Sequence, residues 1–118
     1  MASHEAAFAK GLADADLLLT TGGSSMGSTD LIKPVIERKF DGTIHFGRVA
    51  MKPGKPTTFA TIDVGGKRKP VFALPGNPAS ALVTMYLFVI PALRLLGGWE
   101  RKFAHLPRIP VKVELAAA

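Results

Sequence analysis

Two lysines near the middle of the chain have the type and spacing that suit an anionic ligand. Lys52 and Lys55 stand in the stretch Lys-Pro-Gly-Lys-Pro, where Pro53 and Pro56 restrict the backbone beside each ammonium group. The restriction lowers the entropy lost on binding, and an ammonium group acts on a phosphate or another oxyanion as a compact point charge. The alternative interpretation of residues 51–56, called the lysine loop below, is a solvated turn between two strands.

A glycine- and hydroxyl-rich stretch, residues 20–30, supplies hydrogen-bond donors for the same chemistry. This glycine turn reads Thr-Thr-Gly-Gly-Ser-Ser-Met-Gly-Ser-Thr-Asp and matches neither the dinucleotide-binding nor the P-loop spacing. A strand that leads into such a turn and then a helix is how open α/β sheets present backbone N–H groups to an anion. A carboxylate beside phosphates, here Asp30, favours a divalent cation such as Mg²⁺. The alternative is a flexible connection in which Asp30 only caps the next helix.

A third stretch, residues 75–80, introduces a long apolar helix and is called the asparagine loop below. Asn77 is the predicted N-cap, and Pro78 takes the first helical position. We expect Pro91 to kink this helix, because it removes a hydrogen bond. The segment 79–96 is apolar enough to pass a hydropathy window, but it contains several polar residues. We therefore predict a helix buried in a core or a subunit contact, and no membrane insertion.

The elements that position these loops follow from the alternation of strand and helix patterns. Helices are predicted at 3–14, with Ser3 as N-cap, and at 30–39, and strands at 16–20, 43–51, 57–64 and 70–74, with Gly65-Gly66 as a hairpin turn. The pattern predicts an α/β fold, a three-layer αβα sandwich with a mostly parallel sheet. Ligands of such sheets lie at the carboxyl ends of the strands, so we expect the three loops to meet at one edge.

Both ends of the chain are expected to be cut from a longer protein. The first helix has no strand before it, and a strand that starts at 111–115 stops at three alanines. We therefore predict an α/β subdomain at residues 1–106, followed at 107–118 by a linker and the start of a truncated C-terminal β subdomain.

Composition excludes several functions. The 118 residues contain no cysteine, which rules out disulfides, thiolate catalysis and cysteine metal sites. Fifteen Lys and Arg against nine Asp and Glu give a net charge of +6, consistent with an anionic ligand. The basic residues are spread along the chain with few aromatic residues between them, so we predict no nucleic-acid partner. A signal peptide is not evident at the start, and a cytoplasmic location is the expectation.

The amino-acid sequences of the three loops resemble those of the molybdopterin molybdenumtransferase family, which includes bacterial MoeA and the gephyrin E-domain. The stretches 20–30, 45–60 and 72–81 carry the resemblance, which extends over about residues 16–96. It implies the MogA-like molybdopterin-binding fold within a homodimer. It also implies molybdenum cofactor biosynthesis, in which molybdate is inserted into adenylylated molybdopterin with Mg²⁺-dependent release of AMP.

The resemblance implies roles for individual residues. Asp30 would be the Mg²⁺-associated carboxylate, with Ser25 beside it. The expected catalytic residues of the molybdate and phosphate pocket are Asp30, Lys52, Lys55 and Ser80. The residues expected to bind the pterin substrate or to form the pocket wall are Gly22, Gly23, Ser24, Ser25, Gly27, Pro56, Gly76, Asn77 and Pro78.

Two alternative functions remain open. The related molybdopterin adenylyltransferase domain shares the fold and a Thr-Gly-Gly turn, although the lysine loop argues against it. A scaffold module that anchors receptors, as gephyrin does, is the other. Family members also carry a further acidic residue on a preceding strand and an arginine on a C-terminal subdomain, and most of these features are absent from this sequence.

We therefore expect little or no activity from this chain alone.

Overall fold

The chain folds into four strands and three main helices. The computed structural model describes residues 2–22 and 31–114. Helix α1 is Ala2–Asp14, and α2 begins at Ile32–Pro34 and continues as a π-helical turn at Val35–Lys39. The strands are β1 (Leu18–Thr21), β2 (Thr43–Phe46), β3 (Thr58–Val64) and β4 (Lys67–Leu74). Helix α3 is Pro78–Leu96, and a short 3₁₀ turn follows at Arg101–Phe103.

The four strands form one mixed sheet in the order β1-β4-β3-β2. Strand β4 runs parallel to β1, with Leu18 opposite Val71, whereas the β3–β4 and β2–β3 pairings are antiparallel. The predicted α/β class is confirmed, but the mostly parallel sheet is matched only in part. Strands β1, β2 and β4 point in one direction and β3 points in the other; a two-residue turn joins β3 to β4, and the connection from β2 to β3 contains no helix.

Helices cover both faces of the sheet, as the three-layer prediction requires. On one face, α1 and α2 pack against β3 and β4, and the buried residues of this layer include Phe8, Ile36 and Val71. On the other face, α3 packs through Val89 against Phe72 and other residues of the sheet. Successive residues of β4 point to opposite faces, so both cores share this central strand.

Most element boundaries lie within a few residues of those predicted. Helix α1 already includes Ser3, which therefore is not its N-cap. Strand β2 ends at Phe46 instead of residue 51, and its pairing with β3 is irregular between Ile44 and Phe46. The predicted Gly65-Gly66 turn is present, with φ of 57° and 82°, values that favour glycine at both positions. Residues 111–114 are exposed and form no strand.

Helix α3 begins as the sequence predicts. The Asn77 side-chain oxygen accepts hydrogen bonds from the N–H groups of Ala79 (3.0 Å) and Ser80 (3.4 Å). The irregularity expected at Pro91 takes the form of a π-helical turn at Met85–Val89, in which the N–H of Ile90 bonds to the carbonyl of Met85. The wider turn lies where the proline ring would otherwise crowd the carbonyl four residues before it.

The burial expected for α3 is found on one side only. This helix is long and apolar enough to cross a membrane by length and composition, but only 17% of its most apolar window is buried. Large apolar side chains such as Leu82 (59% exposed) and Leu96 (56% exposed) lie on the surface. The helix therefore covers the sheet with one face and leaves a second apolar face uncovered by the described part of the chain.

Candidate functional site

The carboxyl ends of β1, β2 and β4 all lie at one edge of the sheet, called the loop edge below. The glycine turn follows β1, the lysine loop lies between β2 and β3, and the asparagine loop follows β4. The N–H of Gly22 donates to the carbonyl of Leu74 at 3.1 Å. A Cβ atom on Gly76 would lie 3.2 Å from the Cα atom of Gly22. The first and third loops are therefore in backbone contact, and glycine at 76 permits that approach.

The lysine loop packs against α3 just beyond the asparagine loop. Gly54 is buried at φ 110°, and a Cβ atom there would lie 2.7 Å from the Thr84 Cγ2 atom. The Thr84 hydroxyl donates to the carbonyl of Ser80 at 2.7 Å. Gly54 thus lies on the helical turn that follows Ser80, and this contact brings the second loop to the third.

Hydrogen bonds fix the backbone of the lysine loop. The N–H of Val49 donates to the carbonyl of Lys55 at 2.8 Å. The Thr57 hydroxyl, on a fully buried side chain, donates to the carbonyl of Gly54 at 2.6 Å. The Lys52–Pro53 peptide bond is cis. Both lysines are exposed on this constrained backbone, so their ammonium groups face solvent from a fixed base.

The connection that contains the lysine loop carries a positive charge. The stretch between Asp41 and Asp63 contains Arg48, Lys52 and Lys55 but no acidic residue. Within residues 2–22 and 31–114, none of these three cations forms a salt bridge. Their charge is therefore available to a ligand and is screened mainly by salt.

The asparagine loop offers side-chain donors, because the first N–H groups of α3 are already hydrogen-bonded. The side chain of Asn77 already accepts from the N–H groups of Ala79 and Ser80, so these amides are occupied. The half-buried Ser80 side chain makes no hydrogen bond to the described part of the chain. Its hydroxyl can donate to an oxyanion, and so can the exposed side-chain NH₂ group of Asn77, whose oxygen alone is used as the cap.

Two buried hydroxyls that the sequence did not single out lie beneath the loop edge. Thr20 on β1 and Thr58 on β3 pair with Ala73 of β4 from either side. Their hydroxyl oxygens are buried and have no hydrogen-bond partner among the described residues. Only their place in the sheet register, which the sequence does not display, reveals them.

Part of the predicted site lies outside the described residues, namely Gly23, Ser24, Ser25, Gly27 and Asp30. Within the described ranges no group of three or more His, Asp and Glu residues is placed to hold a metal ion. The described donors at the loop edge are ammonium and hydroxyl groups, which suit an oxyanion and do not form a magnesium site by themselves. The assignment of Mg²⁺ to Asp30 remains a prediction.

A separate surface hollow lies where the chain leaves α3. Trp99 and Phe103 line it, and the Arg94 guanidinium stacks over the Trp99 ring at 4.6 Å. None of the residues that line this hollow belongs to the three loops. The predicted residues Lys52, Lys55 and Ser80 therefore have no part in it.

Fold and loop edge together define a class of protein: an α/β domain that presents ammonium and hydroxyl groups from successive loops at one end of a mixed sheet. A family model described as "Probable molybdopterin binding domain" matches residues 1–95. The chain belongs to this family, and the resemblance read from the three loops is confirmed.

Relatives with known names agree with this membership. The chain is 50% identical over 114 residues to gephyrin of Dictyostelium discoideum and 47% identical over 98 residues to the molybdenum cofactor synthesis protein cinnamon of Drosophila melanogaster; each match covers 83% of this chain and 16% of the relative. It is 41% identical over 100 residues to a molybdopterin molybdenumtransferase of Haemophilus influenzae, covering 85% of this chain and 23% of that protein. The chain thus spans less than a quarter of the length of these relatives.

Proposed function

We propose that this chain is the molybdopterin- and molybdate-binding part of a molybdopterin molybdenumtransferase that acts in molybdenum cofactor biosynthesis. The observation that carries the proposal is the meeting of the lysine loop with the helical turn that follows Ser80, through Gly54 and Thr84. Relatives named gephyrin, cinnamon and molybdopterin molybdenumtransferase support it.

The residues at the loop edge match the chemistry of the proposed substrates. Molybdate is a tetrahedral dianion, and adenylylated molybdopterin carries phosphate groups, so both require positive charge and hydrogen-bond donors. Lys52 and Lys55 supply charge from a constrained backbone, and Ser80 supplies a hydroxyl donor. The absent side chain of Gly76 lets the asparagine loop lie against the backbone of Gly22, at the start of the glycine turn.

In the proposed reaction, molybdate is inserted into the pterin, and water cleaves the phosphoanhydride bond between the pterin phosphate and AMP, so that AMP leaves. The two ammonium groups would hold the incoming oxyanion beside the phosphate and offset the charge of both. No nucleophilic side chain is required for this role. Mg²⁺, held through Asp30, would neutralise charge on the leaving phosphate.

Because the relatives are much longer, we propose that full activity needs further segments and a second subunit. The uncovered apolar face of α3, with Leu82 and Leu96, supports a contact of this kind. A purified chain that released AMP at the rate of a full-length relative would contradict this part of the proposal. A concentration-independent monomer in light scattering would argue against self-association through this chain.

Binding of the substrates tests the central claim. Sodium molybdate is titrated into the chain by calorimetry, with sodium sulfate as the competing tetrahedral dianion, and adenylylated molybdopterin is titrated separately. We expect molybdate and the adenylylated pterin to bind, and the Lys52→Gln/Lys55→Gln variant to lose most of the affinity for both. Lys67→Gln/Arg68→Gln, a matched loss of charge at the far end of β4, should bind normally. Equal affinity for molybdate in both double variants would refute the assignment of the site.

A further inference from the structure

The main chain of the lysine loop uses its carbonyl groups and leaves two amides unbonded. The carbonyl of Gly54 accepts from the Thr57 hydroxyl at 2.6 Å and from the Thr57 N–H at 3.1 Å. The carbonyl of Lys55 accepts from the N–H of Val49 at 2.8 Å. The N–H groups of Gly54 and Lys55 have no acceptor in the part of the chain that the structure describes. The backbone of these two residues therefore has two free donors, whereas both of its carbonyl groups are hydrogen-bonded.

The hydrogen bonds to Gly54 also set the direction of the Lys55 N–H group. The carbonyl of Gly54 and the N–H of Lys55 belong to one trans peptide unit, in which the two groups point in opposite directions. The carbonyl points to Thr57, whose side chain is fully buried. The Lys55 N–H group therefore points away from this buried side chain. Unlike the ammonium group at the end of the flexible Lys55 side chain, this donor is held by the backbone.

The N–H group of Gly54 is unusual because it belongs to a buried residue. Buried backbone N–H groups are nearly always hydrogen-bonded, since an unpaired one has lost its bond to water without replacement. Pro53 and Pro56 flank Gly54 and Lys55 and carry no N–H group, so these two amides are the main-chain donors of the turn. Successive N–H groups in a turn form a concave site for an anion. An oxyanion at the lysine loop would supply the acceptor that both amides lack.

We propose that the main-chain N–H groups of Gly54 and Lys55 donate hydrogen bonds to the bound oxyanion. The lysine loop then binds its ligand through directed backbone donors as well as through the ammonium groups of Lys52 and Lys55. The identity of the anion, molybdate or a phosphate group of the pterin substrate, rests on the proposed function. The availability of the two donors rests on the hydrogen bonds of the loop.

Nuclear magnetic resonance of the isotopically labelled chain tests the proposal without a substitution. Sodium molybdate and, in a separate titration, sodium phosphate are added while the amide signals are recorded. We expect the amide protons of Gly54 and Lys55 to shift downfield and to saturate at the dissociation constant that calorimetry gives for the same anion. The amides of Val49 and Thr57 are the matched control, because they lie beside the same loop but are already hydrogen-bonded. They should shift much less.

Variants at position 57 test how the donors are held. Thr57→Val removes the hydroxyl that bonds to the Gly54 carbonyl but keeps the side-chain volume, every charge and both free N–H groups. We expect it to weaken the binding of either anion by about 3- to 10-fold, and Thr57→Ser, which keeps the hydroxyl, to recover most of the affinity. Thermal unfolding identifies any loss of folded protein. The titration of the wild-type chain tests the proposal even if Thr57→Val does not fold.

The Lys55→Gln variant separates the backbone donor from the charge. It removes the ammonium group but retains the N–H group of residue 55. We expect the amide of residue 55 to shift downfield still, at a higher anion concentration. An amide that no longer moved when the anion saturated this variant would mean that the shift reports the ammonium group, and the backbone contact would be refuted.

The outcomes separate this proposal from the function proposed above. If molybdate binds in calorimetry but the amides of Gly54 and Lys55 shift no more than those of Val49 and Thr57, the role of the backbone is overturned and the function stands. If phosphate shifts the two amides but molybdate binds no more tightly than sulfate, the backbone site stands and the molybdate function fails. A wild-type chain that bound none of these anions would overturn both.

Discussion

The lysine loop packs against α3 through the contact between Gly54 and Thr84, and we expect Gly54→Ala to disrupt this packing. The alanine would adopt φ 110°, and its Cβ atom would lie 2.7 Å from the Thr84 Cγ2 atom. The backbone contribution is about 1–2 kcal/mol. Overpacking a buried position adds about 1–3 kcal/mol, so we expect a loss of about 2–5 kcal/mol in the free energy of unfolding.

Urea unfolding, followed by circular dichroism, measures this loss. Gly66→Ala is the matched control, since Gly66 has φ 82° but no atom near its Cβ position, and it should show only the backbone contribution. Thr84→Ser removes the methyl group that would clash and keeps the hydroxyl bonded to Ser80. In the Gly54→Ala background it should therefore recover about 1–3 kcal/mol relative to the sum of the two single changes.

Two results would refute this reasoning. One is a Gly54→Ala variant no less stable than Gly66→Ala, which would mean that the loop does not pack against the helix. The other is that the losses in free energy of unfolding of Gly54→Ala and Thr84→Ser simply add in the double variant, which would mean that the clash with the Thr84 methyl group is not the cause. A stable Gly54→Ala chain with normal molybdate affinity would further show that the contact between Gly54 and Thr84 does not position Lys52 and Lys55.

Three further predictions concern single contacts. Asn77→Ala should lower the free energy of unfolding by about 1 kcal/mol, because it removes the N-cap of α3, and Asn77→Ser should recover most of it in the same urea assay. Gly76→Ala should lower the free energy of molybdate binding, measured by calorimetry, by more than it lowers the free energy of unfolding, because the new Cβ atom would crowd the Gly22 backbone. An unchanged molybdate affinity would contradict this. Lys69→Met should destabilise the chain by about 1 kcal/mol, because the Lys69 ammonium donates to the carbonyl of Leu12 near the end of α1; an unchanged urea midpoint would contradict this.

Local signals in the sequence predict much of the fold. Asn77 followed by Pro78 marks the start of α3, and Gly65-Gly66 marks the hairpin between β3 and β4, because few other residues suit those backbone positions. The three loops are also recognisable in the sequence, since glycine, proline, hydroxyl and ammonium groups are concentrated there. Which side chains come into contact is not visible at this level.

The contacts missed by sequence reasoning are all between residues distant in the chain. Lys33 meets Gly47 because α2 packs beside the end of β2, and Gly54 meets Thr84 because α3 crosses the sheet beneath the lysine loop. No spacing rule links these pairs, since each depends on how two elements are packed.

The direction of β3 resolves a conflict between two of the sequence-based expectations. Parallel neighbours need a crossover of a dozen or more residues, and residues just before a parallel strand lie at its amino end, away from a ligand at the carboxyl ends. The lysine loop lies directly before β3, so a fully parallel sheet would have placed Lys52 and Lys55 on the wrong edge. The reversal of β3 against both neighbours brings its amino end to the carboxyl ends of β2 and β4. The antiparallel strand is thus what allows the lysines to share an edge with Ser80.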